Sequence, residues 1–186
     1  MSLNLIRAVA RAENNDDVHL GRLLLLLFEA SNRNSRNKAI EGITKLAKLD
    51  FLLRYPNCLE RALVAVNKNT ELANVQSYER TTIEAKMIRF KYGPWDARYR
   101  RWLSLLASYD LITIEARGRT VYIEITSKGQ EVAGQFSASP AYSDIHARSH
   151  LVIRMFGSMS ATAIKDFVYR VFPELETMKW GEDILL

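Results

Sequence analysis

The sequence of 186 residues carries 26 Lys and Arg against 21 Asp and Glu, a net charge of +5, and 48% of its residues are hydrophobic. This balance is typical of a globular chain of one domain or two very small ones, and it excludes an acidic disordered tail protein. The single cysteine excludes a disulfide scaffold and a cysteine-rich zinc module. The longest apolar run, residues 23–28, is too short to span a membrane, and the N-terminal residues lack a signal-peptide pattern, so we expect a cytoplasmic protein.

Aliphatic residues at helical spacing predict the elements of the first third of the chain. Leu20, Leu23, Leu24 and Leu27 recur every three or four residues, as one face of a buried helix requires. Ile40 is expected on the inner face of the following helix, which ends before a proline. The predicted elements are a short helix or loose arm over residues 1–17 and helices over residues 19–31, 40–53 and 57–66.

A β-hairpin is predicted in the second half of the chain. β-branched and aromatic residues at 111–115 and 120–125 flank Arg117 and Gly118, which predicts two strands joined by a tight turn. The hairpin follows an amphipathic helix for which Asp96 is the expected N-cap. Helices are predicted over residues 96–109, 127–136, 145–155 and 161–171.

The order of a helix, a turn, an arginine-rich helix, a hairpin and a closing helix is typical of a winged helix-turn-helix. We therefore predict an α+β, mostly helical protein with a winged helix-turn-helix core, a β-hairpin wing and a C-terminal helical extension. Trp95, Tyr99 and Trp102 are expected to anchor the arginine-rich helix to the core. The predicted division is a core with its N-terminal helices at 1–136 and a linker with the extension at 137–186.

Basic charge is concentrated around this helix and hairpin. Eight basic and three acidic residues lie between Lys86 and Arg119, an excess equal to the net charge of the whole chain. Such side chains suit a phosphate backbone, although the arginines could instead cover the aromatic core or pair with an acidic partner protein. The helix has no Asn or Gln to read adenine, so contact with DNA is expected through backbone and shape. The candidate DNA-binding residues are Arg89, Lys91, Arg98, Arg100, Arg101, Arg117 and Arg119.

The C-terminal segment combines acidic and apolar residues. Four carboxylates and one lysine are interleaved with aromatic and aliphatic side chains after Pro173. This pattern fits a docking peptide for a basic partner surface, or equally a tail that folds back on its own chain. The candidate partner-binding residues are Trp180, Ile184, Leu185 and Leu186.

No pattern of residues points to catalysis, a metal or a cofactor. His146 and His150 have the spacing of a zinc-binding helix, but the Glu of that motif is absent, so a solvated helix is the expectation. Cys58 lies in an apolar helix without an adjacent histidine, which favours a packed thiol over a nucleophile. No phosphate-binding loop is present, so any ATP chemistry must come from a partner. We expect a protein that is not an enzyme and has no metal, cofactor or small-molecule substrate.

Three stretches of sequence, residues 48–56, 89–96 and 98–102, resemble the middle component of the bacterial ABC-three-component systems, which include the Lamassu-type antiphage systems. The most specific match is Tyr-Gly-Pro-Trp-Asp at residues 92–96. This block either serves folding, as a tight bend followed by a buried ring and a helix cap, or contacts a partner. The resemblance implies a winged-helix subunit without catalytic residues, beside an ATPase similar to the SMC family and an effector nuclease, and near double-stranded DNA. The alternative is a free-standing winged-helix transcriptional regulator.

Overall fold

The computed structural model describes residues 16–33, 38–80 and 86–186, and the predicted N-terminal helix or arm lies largely outside these ranges. The protein is α+β and mostly helical, as predicted, with two small antiparallel sheets. The helices are α1 (Asp16–Arg33), α2 (Ile43–Arg54), α3 (Pro56–Ala65), α4 (Tyr99–Ser108), α5 (Ser127–Ser137), α6 (Ser143–Phe156), α7 (Ala161–Val171) and α8 (Glu174–Thr177). The strands are β1 (Ile40–Glu41), β2 (Ile88–Phe90), β3 (Gly93–Trp95), β4 (Ile112–Arg117) and β5 (Thr120–Ile125).

Helix α1 lies at the centre of the core. Its leucines at positions 23–27 are all buried, because α4, α5, α6 and β5 pack around it. The core includes residues before and after the predicted linker at 137–143. That segment contains a 3-10 turn, Pro140–Tyr142, and the ring of Tyr142 stacks 4.9 Å from that of Phe136.

The predicted hairpin is confirmed, and it belongs to a three-stranded sheet of order β1-β5-β4. Strands β4 and β5 pair from Ile112 to Arg117 and are joined through Gly118, whose φ of 60° suits the first central position of a tight hairpin turn. The sequence prediction was wrong for Ile40. It lies in β1 opposite Ile123, and the helix begins only at Ile43, because the backbone of this stretch pairs with β5.

A second hairpin, β2–β3, precedes α4 and was not resolved by the sequence pattern. Phe90 pairs with Gly93, whose φ of 101° is accessible to glycine at little cost. The C-terminal tail lies along the other side of β2, where the backbone N–H of Arg89 donates to the carbonyl of Glu182 over 2.8 Å. Strand β3 and helix α7 both pack on α2, so this helix is buried all round between positions 45 and 53.

Within the described ranges, no helix combines the length and the apolar character that crossing a membrane would require.

Candidate functional site

A buried network of charges fixes the N-terminal end of α4 against the core. The carboxylate of Asp50 accepts hydrogen bonds from Arg22 Nε over 2.7 Å, Arg54 Nε over 2.8 Å and the hydroxyl of Tyr99 over 2.6 Å. Burial alone would raise the pKa of Asp50, but the two guanidinium groups lower it below its usual range. Asp50 is therefore a fully buried anion that ties α1, α2 and α4 together.

Asp96 extends this network to the start of α4. Its carboxylate accepts from Arg54 Nη1 over 2.8 Å and from the backbone N–H and the side chain of Arg98. Asp96 precedes the N-cap, which is Arg98 itself, so the predicted cap is displaced by two residues. The Arg98 guanidinium also lies 4.8 Å from the ring of Trp102, so its charge is already engaged within the chain.

The three aromatic residues expected to anchor α4 differ in burial. Tyr99 and Trp102 are fully buried, as predicted, whereas Trp95 is only partly buried.

Two more of the predicted DNA-binding arginines are exposed but paired. Arg101 Nη2 lies 2.5 Å from the carboxylate of Asp16, and Arg117 Nη2 lies 2.5 Å from that of Glu115. Exposed pairs of this kind are weak and can be exchanged for a phosphate. Arg100 and Arg119 are exposed, and among the described residues neither has an acidic ion-pair partner.

Arg89 is not available to DNA, which corrects the sequence-based prediction. Its side chain points inward, where Nε donates to the carbonyl of Leu175 over 2.7 Å and Nη1 donates to the carbonyl of Phe90. Its guanidinium carbon lies 5.7 Å from the ring centre of Tyr169. The residue is buried because α7 and α8 cover the face of β2 from which it projects. Lys91, two positions later, is exposed and lies over the ring of Tyr92.

The β2–β3 hairpin and the helices beside it enclose a small cavity of about 180 Å³, which we call the aromatic cleft. Phe90 and Tyr92 are about half exposed, and the ring of Phe90 lies 6.2 Å from that of Trp95 and 5.9 Å from that of Trp180. The cleft contains basic and aromatic side chains and no carboxylate. Its lining residues are Thr44, Lys48, Phe90, Tyr92, Gly93, Trp95 and Arg100.

Lys48 is the most unusual group of the aromatic cleft. It is 1% exposed, and the hydrogen bond that its ammonium makes, to the carbonyl of Pro94, is long at 3.4 Å. Burial, together with the charges of Arg89 and Lys165, lowers the pKa of Lys48 to about 7. The sequence argument missed this residue, because a lysine on a helix is normally assigned to the solvent face.

A wider groove, which we call the basic groove, adjoins the cleft through Tyr92 and Lys91. It is lined on its other side by α7 and α8, where the cations of Lys165 and Arg170 lie beside the carboxylates of Asp166 and Glu176. Lys165 Nζ lies 3.0 Å from the carboxylate of Asp166, so part of this charge is neutralised within the helix. The cleft and the groove adjoin at Tyr92, and together they contain cations, aromatic rings and two carboxylates.

The C-terminal residues divide between the core and the surface. Ile184 is fully buried, its N–H donates to the carbonyl of Met87 and its carbonyl accepts from Tyr55, so it is removed from the predicted partner surface. Leu186 packs against the core. Trp180 and Leu185 are each 65% exposed and stay available. The tail thus folds back on its own chain, which was the alternative left open by the sequence.

The histidines and the cysteine have structural surroundings. His146 Nε2 and His150 Nδ1 lie 2.9 and 2.8 Å from the two oxygens of Glu29, and so link α6 to α1. In the part of the chain that the structure describes, no three metal-ligating side chains come close enough to hold an ion. Cys58 is fully buried, and burial raises the pKa of its thiol to about 12, far from that of a reactive thiolate.

Comparison with known proteins returned no match to any family model, any curated protein or any solved structure.

Proposed function

We propose that this protein is the non-catalytic middle component of a bacterial ABC-three-component, Lamassu-type antiphage complex. In this proposal it bridges an SMC-like ABC ATPase, double-stranded DNA and an effector nuclease. The sequence resemblance supports the family, and the block at residues 92–96 that carries it covers the end of the turn of the β2–β3 hairpin, strand β3 and the residue after it. The exposed Tyr92 in this block is available to a partner, while Asp96 has a folding role.

The observation that carries the DNA part of the proposal is the position of α4 directly before the β4–β5 hairpin in a sheet of order β1-β5-β4. With α1 and α2 flanking β1, this order supports a winged-helix core into which α3 and the β2–β3 hairpin are inserted. In a winged helix, α4 is the helix that approaches the groove and the hairpin is the wing. Arg100 on α4 and Arg119 at the hairpin turn would then contact phosphates.

Fewer of the basic side chains of α4 and the β4–β5 hairpin are free to meet phosphates than the sequence predicts. Arg98 is held by Asp96, and Arg101 and Arg117 have carboxylate partners at the surface. We therefore assign the DNA contact mainly to Arg100, Arg119 and Lys91, with a modest salt dependence. If these cations instead serve an acidic protein partner, DNA binding is absent while the complex still assembles.

Co-expression with the neighbouring genes tests membership of the complex. The proposal predicts that a tagged form of this chain co-purifies in fixed stoichiometry with an SMC-like ATPase encoded beside it. Trp180→Ala and Leu185→Ala, which change exposed tail residues, are expected to weaken this association, whereas Tyr109→Ala, at a 55% exposed residue outside the tail, is the matched control. Absence of an ATPase from the purified material contradicts the proposal.

A free-standing transcriptional regulator would behave differently in solution. It would form a dimer and select one operator with symmetric half-sites from random DNA. The proposed subunit is expected to show no preferred sequence, because α4 contains no Asn or Gln for adenine readout. A reproducible palindromic sequence in such a selection favours the regulator.

A further inference from the structure

We propose that the aromatic cleft binds one nucleotide, with its base against the exposed rings and its phosphate beside Lys48 and Arg100. The proposal goes beyond the DNA-backbone contact of α4 and the β4–β5 hairpin, since the cleft is formed by α2, the β2–β3 hairpin and the start of α4. The two sites share Arg100, but the cleft adds Lys48 and the aromatic rings, and its chemistry is the recognition of a single unpaired nucleotide.

The buried ammonium is the first argument for a ligand. A lysine that is 1% exposed would normally be compensated by a carboxylate or by several hydrogen bonds. Here the lining of the cleft contains no acidic group, and the hydrogen bond to Pro94 is 3.4 Å long. An anion in the cavity would supply the missing partner.

Gly93 lies directly beside the side chain of Lys48. A Cβ atom at Gly93 would lie 3.4 Å from Lys48 Cε and 3.6 Å from Nζ, which is ordinary van der Waals contact. Glycine is therefore favoured here by its φ of 101°, which keeps the hairpin turned around the cavity. Arg100, exposed at the rim, adds a second cation at the mouth of the cleft.

The aromatic rings indicate which kind of anion fits. Tyr92 and Phe90 are 49% and 44% exposed, and Trp95 completes the wall behind them. Exposed rings beside cations are the arrangement by which proteins hold unpaired nucleotides, because every base can stack on a ring while its phosphate meets a cation. A bare phosphate or sulfate has no aromatic group that could stack on these rings. The cavity of about 180 Å³ is smaller than the pockets that enclose whole ligands, so the base would lie against the half-exposed rings at its mouth.

The same chemistry is offered by a free nucleotide and by an unpaired nucleotide within a DNA strand. The adjoining basic groove has three cations, Lys91, Lys165 and Arg170, against the carboxylates of Asp166 and Glu176, and its excess of positive charge would contact a neighbouring phosphate of a strand. A strand would therefore bind across both features, whereas a mononucleotide would occupy the cleft alone.

The test uses the purified full chain and calorimetric titration with deoxyadenosine monophosphate, deoxyadenosine and inorganic phosphate. The nucleotide is expected to bind about tenfold or more tightly than either of its parts, since both stacking and the ammonium contribute. Lys48→Met and Tyr92→Ala are each expected to weaken binding at least about fivefold. Lys45→Met, on the same helix with its ammonium on the carbonyl of Gly157, and Tyr109→Ala are the matched controls and leave binding unchanged.

Labelled DNA identifies the source of the nucleotide. A fully paired, blunt-ended duplex is compared with the same duplex carrying a short unpaired internal stretch. Tighter binding of the latter that depends on Lys48 and Tyr92 assigns the cleft to a strand, and binding of the free monophosphate alone assigns it to a mononucleotide. The inference is overturned if neither probe binds in a Lys48-dependent way while the variants remain folded by circular dichroism. Binding of the fully paired duplex reports separately on the proposed DNA contact, so the two ideas can fail independently.

Discussion

The hydroxyl of Tyr99, the first residue of α4, donates a 2.6 Å hydrogen bond to the fully buried carboxylate of Asp50 on α2. Because Arg22 on α1 and Arg54 on α2 hold the same carboxylate, the orientation of α4 is set by a charged network. The exposed Arg100 one residue after Tyr99 is thereby presented from a rigid base. Rigid support of this kind is what a side chain needs to meet a phosphate at a defined position.

Asp50→Asn is expected to lower the free energy of unfolding by roughly 3–5 kcal/mol at pH 7, because the buried Arg22 loses its anion and Arg54 keeps only Asp96. Urea unfolding followed by circular dichroism measures this. The folded-state pKa of Asp50 is lowered, so its contribution is present above the ordinary carboxyl range and is lost as the pH falls towards the folded value. The difference between the two proteins should therefore shrink in acid. Glu115→Gln, which removes a fully exposed pair, is the control, and an equal loss there contradicts the account.

Lys48→Met is expected to stabilise the fold while it removes a ligand contact. Burial lowers the pKa of Lys48 to about 7, so the unfolded chain binds more protons than the folded chain between pH 7 and the ordinary lysine value of 10.5. Stability of the wild-type protein should rise with pH across this window, and the variant should lack that rise. At pH 6 to 7 the variant is expected to gain about 3–5 kcal/mol. Urea unfolding over a pH series tests this, and a destabilised variant contradicts it.

The two tryptophans beside α4 are expected to differ. Trp102 is fully buried, and its indole N–H donates to Asp16 over 2.9 Å, so Trp102→Ala should cost about 3–5 kcal/mol of stability. Trp95 is only partly buried and lines the aromatic cleft, so Trp95→Ala should cost less and should also weaken nucleotide binding. Thermal unfolding of both variants, with titration of the second, separates these roles. Equal losses of stability contradict this distinction.

Arg100→Ala combined with Arg119→Ala is expected to weaken duplex binding for every sequence alike. Each lost phosphate contact should reduce the slope of log K against log salt by about 0.9. Arg89→Ala is not a matched control, because the buried guanidinium of Arg89 supports the tail and its loss would destabilise the chain. Lys128→Ala, at an exposed residue that bonds the carbonyl of Tyr109, is the control and should leave the slope unchanged. If the slope of log K against log salt is unaltered in the double variant, other residues make the phosphate contacts.

The helices and the β4–β5 hairpin could be predicted because their signals are local. Leucines repeat along α1, and β-branched residues flank the turn at Gly118. The short strand β1 could not be seen, since a two-residue strand has no periodicity and exists only because Ile40 meets Ile123.

The candidate site was predicted in part. Lys91, Arg100 and Arg119 are exposed as a surface role requires, whereas Arg89 and Ile184 are buried by parts of the chain distant in sequence. Lys48 escaped prediction for the same reason. The face of α2 that carries Lys48 is buried only because β3 and α7 pack on it. The sequence of α2 alone does not predict this packing.

The most direct measurement is fluorescence anisotropy of the purified chain on a fully paired, blunt-ended random duplex, repeated from 50 to 200 mM salt. The account predicts binding at low salt that weakens steadily, with a slope of log K against log salt of about −2 to −3, set by Arg100, Arg119 and Lys91. No binding at the lowest salt, or binding that does not respond to salt, would contradict the DNA contact. The exposed arginines would then belong to a protein partner.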